Sequence, residues 1–402
     1  MAPEVFAGPF GRWRWSAAVT DAVVLVAVWV FLLCYLEPQF LLSKTTPTGG
    51  DMGSHFFTAE YLRNHLLPQG KITGWCQGNL AGFPMLQYYF PLPFLLMSAL
   101  SVAMPLEIAF KLVAVLGTFL LPLCTYCFFR LLGCRFPVPA LGAVFTLPFL
   151  FMEGNAMWGG NIASTLAGEI TYSLGLALTV FWLGMLHRTV RKGAGALPCA
   201  VVLGLVGMCH GYALLFAGFA SLFFLITRTD FRKNLILLVR IHGGAFLLMA
   251  FWLVPLLAFL PFTTRFSILW IFFDFNQVIR EVLPSVVRPH MAFAVGGSIA
   301  TAVLILKGKC ISDRGGFNHL WWIALCASGL YFVGYRAGVV DVRFIPFMQW
   351  AVCAAGALAV GMIRFSGPVR LLVTVFLLAG TLLWVDSHET FLRSWARHDF
   401  RG

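Results

Sequence analysis

MLQYYFPLPFLLMSALSVAM, residues 85–104, decides how this chain is threaded. The stretch is apolar and long enough to cross a hydrocarbon core of ~30 Å. Pro91 and Pro93 interrupt it, however, and Tyr88 and Tyr89 suit the headgroup level. If it crosses, every later loop changes sides. Lys and Arg make the choice. Apolar runs recur at 17–36, 108–131, 137–153, 171–188, 196–209, 211–227, 236–260, 291–307, 317–335, 346–363 and 370–386. With Arg12 and Arg14 in the cytoplasm and 85–104 not crossing, the cytoplasmic gaps hold Arg130 and Arg135; Arg188, Arg191 and Lys192; Arg228, Arg232 and Lys233; Lys307, Lys309 and Arg314; and Arg364 and Arg370. All five are Lys/Arg clusters, as the positive-inside rule requires. A crossing at 85–104 would turn all five outward. The segment is therefore expected to re-enter or to lie at the interface.

The composition supports this. Hydrophobic residues make up 60% of the 402 residues and charged residues 11%, too little charge to cover a soluble surface. The net charge of +12 falls mostly in short loops, where it sets orientation; it is not a nucleic-acid footprint. No small-residue cleavage site follows 17–36, and Leu36-Glu37-Pro38 argues for a first span over a signal peptide. The ten cysteines show no disulfide or zinc spacing, and Cys76 is the one well out in a loop. The expected fold is an all-α polytopic bundle of about eleven transmembrane helices, a single membrane domain over 1–402. A long first outward loop, 37–107, carries amphipathic and re-entrant helices, and a tail from 387 to 402 faces outward. That tail stops without an obvious finish, as the membrane part of a longer protein would.

Acids are scarce, 16 in all, and the outward regions hold Glu37, Asp51, Glu60, Glu107, Glu153, Glu169, Asp274, Glu281 and Asp341. In the first loop, TPTGGDMGSHFFTAEYLRNHLLPQGKITGWCQGNLAGFP, Gly49-Gly50 breaks the chain and Asp51 stands at a helix N-cap. The helix over 52–66 is amphipathic, with Phe56, Phe57, Tyr61 and Leu62 opposed to Glu60, Arg63 and Asn64. Asp51 is either a cap or a functional acid. Glu169 either caps the following span or acts, and Arg343 either pairs with Asp341, snorkels, or binds a ligand. His210, in Cys-His-Gly between two short spans, reads as a turn residue.

An acid after the first span, His55, an amphipathic helix, then Trp75, Gly82-Phe83-Pro84 and Tyr88-Tyr89-Phe90-Pro91 resemble the GT-C class of membrane glycosyltransferases. The layout is similar to that of oligosaccharyltransferase catalytic subunits and polyprenyl-phosphate-sugar transferases. It more closely resembles bacterial membrane proteins labelled 6-pyruvoyl-tetrahydropterin synthase-related, a label that carries no implication of pterin chemistry. The resemblance covers residues 15–185 best. It implies that Asp51 is the first-loop acid and Glu169, ahead of Glu153, the acid of the second loop. Arg343 in Val340-Asp341-Val342-Arg343-Phe344 would face a lipid phosphate, with Arg336 and Arg288 in reserve. His55, Glu60, Trp75, Glu153 and Tyr88 are candidates for positioning the acceptor or donor. No acid pair occurs in the first loop, so Asp51 and Glu169 would share any Mg or Mn used. The implied partners are a polyprenyl-phosphate sugar donor and the bilayer, in a bacterial inner membrane with the active face periplasmic.

Glycosyl transfer from a lipid phosphate needs a carboxylate for the acceptor hydroxyl, stabilisation of an oxocarbenium-like centre, and a cation for the leaving phosphate. Asp51, Glu169 and Arg343 supply those types from one face. A lipid or small-solute transporter or flippase is the alternative, but no internal repeat is evident and the acids sit at the rim, not at mid-membrane. A non-catalytic scaffold of the same fold is the third reading.

Overall fold

The computed structural model describes residues 11–402 except 79–80, 227–229, 265, 267–268, 308–313 and 364. Arg228, Lys309 and Arg364 of the expected basic loops lie outside the described residues, as do the side chains of Arg12, Arg14 and Arg314. In chain order the principal helices are α1 (Gly11–Tyr35), α2 (Met52–Tyr61), α3 (Pro91–Leu100), α4 (Leu106–Leu132), α5 (Ile170–Lys192), α6 (Ala196–Cys209), α7 (Gly211–Ser221) and α8 (Phe231–Ala258). They continue as α9 (Arg288–Leu306), α10 (Arg314–Gly334), α11 (Ile345–Gly361), α12 (Gly367–His388) and α13 (Leu392–Arg401). The described sheet is a hairpin, β1 (Gly74–Cys76) antiparallel to β2 (Phe83–Met85), with Trp75 opposite Pro84. Cys76, expected out in a loop, is buried in this hairpin.

By length and composition, seven described helical segments suffice to cross a membrane, at 17–35, 106–132, 170–192, 231–258, 285–306, 341–361 and 367–388. Shorter apolar helices occupy 91–100, 138–150, 196–209 and 211–226. The expected span 137–153 is broken into Val138–Val144 and Leu147–Leu150. Pro148 has no N–H for the carbonyl of Val144, so that hydrogen bond is missing where the helix breaks. The breakage is tolerated because both pieces are wholly buried in protein. Residues 85–104, apolar along their length, yield only α3, whose 10 residues extend about 15 Å, half a bilayer. Pro91 and Pro93 at its start suit a first turn and would break any longer helix passing through them.

Two helices form the centre. The windows counted within α5 and α11 are 78% and 89% buried, while those of α1, α8, α9 and α12 lie near 20%, the exposure of a lipid-facing ring. The most extensive packing is α4 along α5, followed by α9 on α11, α6 on α8 and α10 on α11. Gly117 lets α4 and α5 touch backbone to backbone: a Cβ there would stand 2.3 Å from the Ser173 carbonyl carbon. The C-terminal tail folds back over the loop that follows α1. Lys111 of α4, fully buried, donates from Nζ to the Phe40 carbonyl (2.8 Å), the Ser43 carbonyl and hydroxyl (both 3.0 Å), Thr45 Oγ1 (2.7 Å) and the Phe400 carbonyl (2.9 Å). An ammonium has three protons, so these five oxygens share them in a saturated cage. The cage ties α4, the first loop and α13 at one point.

Candidate active site

Gly49 and Gly50 both adopt positive φ (87° and 45°), and the turn they make delivers Asp51 to the start of α2. The Asp51 backbone N–H donates to the Ala167 carbonyl at 2.9 Å, which fixes the first loop to the second. Although Asp51 occupies the N-cap position, its carboxylate makes no capping bond and stays exposed. An unneeded cap leaves the carboxylate free for solvent or substrate.

Glu169 lies beside it. Gly168, at φ 110°, has room for no side chain, since a Cβ there would stand 2.7 Å from Asp51 Cβ. Glu169 is the N-cap residue of α5 and also makes no cap bond. Its carboxylate accepts from Arg343 Nη2 in an ion pair whose side chains are 17% and 14% exposed. Burial raises the Glu169 carboxyl above the ordinary glutamate value against the pull of Arg343, and the Asp51 charge adds to the rise. Asp341, the other candidate partner of Arg343, is spent on backbone N–H groups, Trp270 at 2.8 Å and Val342 at 2.7 Å. The Arg343 carbonyl accepts from the Tyr172 hydroxyl, so α5 holds the arginine by both ends. Its Nη1 is buried without a hydrogen-bond partner. A buried guanidinium nitrogen left unmatched is a vacant anion donor.

His55, one turn into α2, completes the wall. Its ring stacks on Tyr89 (5.2 Å, 26°), and Nε2 lies 3.3 Å from the Tyr89 hydroxyl. That hydroxyl is also 3.3 Å from Thr171 Oγ1. Burial lowers the His55 pKa, with the Asp51 charge and the Gly168 carbonyl opposing, which favours a neutral imidazole. Burial likewise raises the Tyr89 phenol and keeps it protonated. Phe90 continues the wall onto His210 at 4.5 Å, and His210 in turn meets Tyr172 at 4.9 Å.

Four residues singled out in the sequence thus meet: Asp51, His55, Glu169 and Arg343. The others lie elsewhere. Glu60 is exposed on α2. Trp75 is exposed on the hairpin and covers Gly82. The Tyr88 hydroxyl donates to the Phe259 carbonyl at 3.0 Å. Glu153 holds the tail, accepting from the Thr390 N–H at 2.8 Å. Arg336 donates to the Tyr335 hydroxyl at 3.1 Å and Arg288 to the Leu283 carbonyl at 3.1 Å. His210 is a turn residue as expected, its ring accepting from the Tyr212 N–H at 3.2 Å. Tyr89, Thr171 and Tyr172 are not among the site residues singled out in the sequence; the adjacent Tyr88-Tyr89 pair is the signal that could have found Tyr89.

Among the described residues no three His, Cys, Asp or Glu side chains converge as a metal site. Asp51 and Glu169 are the two carboxylates available, and Glu169 is already held by Arg343. This donor set does not fit a divalent ion held by protein ligands alone.

Two solved structures share the fold. The arabinofuranosyltransferase AftD from Mycobacteria superposes with a TM-score of 0.58 at 17% identity, over 94% of this chain and 26% of AftD. The Archaeoglobus fulgidus oligosaccharyltransferase, solved with a tethered acceptor peptide, superposes with a TM-score of 0.56 at 12% identity, over 94% of this chain and 55% of that one. The chain thus spans about a quarter and about half of these neighbours. No curated protein matches it in sequence. Residues 86–391 match the membrane-protein family described as 6-pyruvoyl-tetrahydropterin synthase related domain, and the chain belongs to that family.

Proposed function

We propose that the chain is a membrane glycosyltransferase that moves a sugar from a polyprenyl-phosphate-linked donor to an acceptor hydroxyl on the non-cytoplasmic face of a bacterial inner membrane. One observation carries the reading: a free carboxylate, Asp51, adjoins a buried Glu169–Arg343 pair whose guanidinium keeps an unmatched Nη1. A transporter has no need of a general base beside an anion donor at the rim. The shared fold with two transferases agrees with this assignment.

In the proposed reaction the acceptor hydroxyl gives its proton to Asp51 as its oxygen bonds to the anomeric carbon. The bond from that carbon to the phosphate oxygen breaks, and the electron pair leaves with the lipid phosphate. Arg343 meets the phosphate charge through Nη1 while Nη2 stays on Glu169. Glu169 fixes the guanidinium plane and faces the cationic sugar centre.

The test compares lipid-linked sugars and envelope glycans by mass spectrometry in cells with wild-type protein and with Asp51→Asn. Loss of one glycan, with its polyprenyl-phosphate donor accumulating, is expected and would name the substrate. Unchanged glycans with well-folded mutant protein would refute the transferase and leave the transporter or the scaffold.

A further inference from the structure

Asp399 of α13 is fully buried; its carboxyl meets the Trp395 indole one turn back and makes no well-formed hydrogen bond. It faces the Gly49–Gly50 turn. A Cβ on Gly49 would stand 2.3 Å from Asp399 Oδ1, and the Thr48 N–H donates to the Asp399 carbonyl at 2.9 Å. On the opposite side a Cβ on Gly50 would stand 2.1 Å from the Ala167 carbonyl oxygen. The turn that presents Asp51 is therefore gripped between α13 and the second loop.

We propose that Asp399 is a positioning residue for Asp51, its carboxyl filling the space behind Gly49 and setting the direction in which Asp51 leaves the turn. The inference rests on the transferase reading for its functional part.

The nearby charges do not explain the acid as an ion-pair partner. Lys111 of α4, near Glu107, is saturated by its cage, which includes the carbonyl of the next residue, Phe400. On α13 itself Arg397 pairs with Glu37 and Arg393 covers the Tyr35 ring at 4.5 Å, while His398 and Arg401 are exposed. Lys44 and Asp51 of the first loop are exposed as well. A carboxyl walled off in this way keeps its proton: burial raises Asp399 to about 7 from 3.8, against the Trp395 indole one turn back. Below about pH 7 the carboxyl is thus a neutral wedge. The proton is held more tightly in the folded state than in the unfolded one, so the benefit is complete below about 4 and is lost as pH rises to about 7.

Hydrogen–deuterium exchange on the intact protein in detergent tests the grip, read over the peptide 46–54. Asp399→Ala empties the space and should raise exchange there roughly tenfold, while Asp399→Asn keeps the shape and should match wild type. Unchanged exchange in the alanine variant overturns the proposal. If alanine fails to fold, Asp399→Glu, one methylene longer, should push on Gly49 and raise the same exchange; its failure to do so is equally fatal. Thermal midpoints of wild type and Asp399→Asn should diverge from pH 4 to 7 and run parallel above; a constant difference overturns the neutral wedge. Cellular transfer separates this proposal from the transferase reading. Asp399→Ala should lower the transferred glycan roughly tenfold at equal folded protein, with Asp399→Asn restoring it at pH 6. Full transfer in the alanine variant, where Asp51→Asn abolishes it, overturns the positioning role. Full transfer in Asp51→Asn refutes the transferase and leaves the exchange result to judge the grip.

Discussion

Arg343 divides its guanidinium between Glu169 and an empty donor position, and the Tyr172 hydroxyl pins its backbone. A lysine at 343 could reach the glutamate or the ligand but not both, because an ammonium is a point charge without a fork. Arg343→Lys is expected to keep detergent stability and lower transfer by roughly 10²–10³, measured as glycan formed per folded protein. Glu169 must be ionised to hold that fork, and burial raises its pKa above the ordinary glutamate value. The acid limb of the pH–rate profile should therefore lie above 4.5, with activity falling as pH drops through it. Glu169→Gln should abolish that limb along with most of the rate. Tyr89→Phe, which keeps the ring stack and removes the hydroxyl shared by His55 and Thr171, should lower transfer about tenfold without unfolding. At this scale the sequence was informative about charge and poor about partners. Asp51, Glu169 and Arg343 stood out because the loops that carry them resemble those of GT-C transferases, in a chain with only 16 acids. Glu153 stood out for the same reason and turned out to hold the tail, since charge alone does not reveal the neighbour it meets.

Elements between the spans owe their shape to local polar bonds that periodicity does not record. Asn161 caps the helix Ile162–Leu166 by accepting the Ser164 N–H at 2.7 Å, and its amide donates to the Met152 and Asn155 carbonyls at 2.9 and 3.1 Å. This helix carries Ala167 and Gly168 into contact with Asp51. Asn161→Ala should cost about 1–2 kcal/mol in the unfolding midpoint and should reduce transfer further by loosening the second loop. A melting curve alone would show whether the cap matters. The shortness of α3 was readable from Pro91 and Pro93, whereas the break of 137–153 was not anticipated because one Pro148 in a buried apolar run looks like any tolerated membrane proline. The C-terminal tail read as a loose end; its burial depends on long-range contacts with residues 37–49, which no local pattern encodes.

Across the whole molecule, the closely packed α4–α5 pair sets the positions of the rim loops. Gly117→Ala places a methyl 2.3 Å from the Ser173 carbonyl carbon, and neither backbone can yield without shifting Glu169 at the head of α5. The variant should express poorly or melt several degrees lower, with site mutants such as Asp51→Asn as the stable contrast in the same assay. The bundle itself was legible, because apolar length is a global signal that survives local error. Which helices occupy the centre was less so, since α5 and α1 are both apolar and differ in burial through packing alone.

The Lys111 cage also has a temporal meaning. Thr45 and Phe400, which share it, are 355 residues apart in the chain. At ordinary rates of translation the first loop leaves the ribosome roughly 20–70 s before its last ligand is made. Through that interval the lysine lacks one of its oxygens and the Gly49–Gly50 turn has nothing behind it. A nascent chain would therefore carry Asp51 and Glu169 in the membrane before the contact that backs the Gly49–Gly50 turn exists, and that contact can form only once synthesis has reached α13.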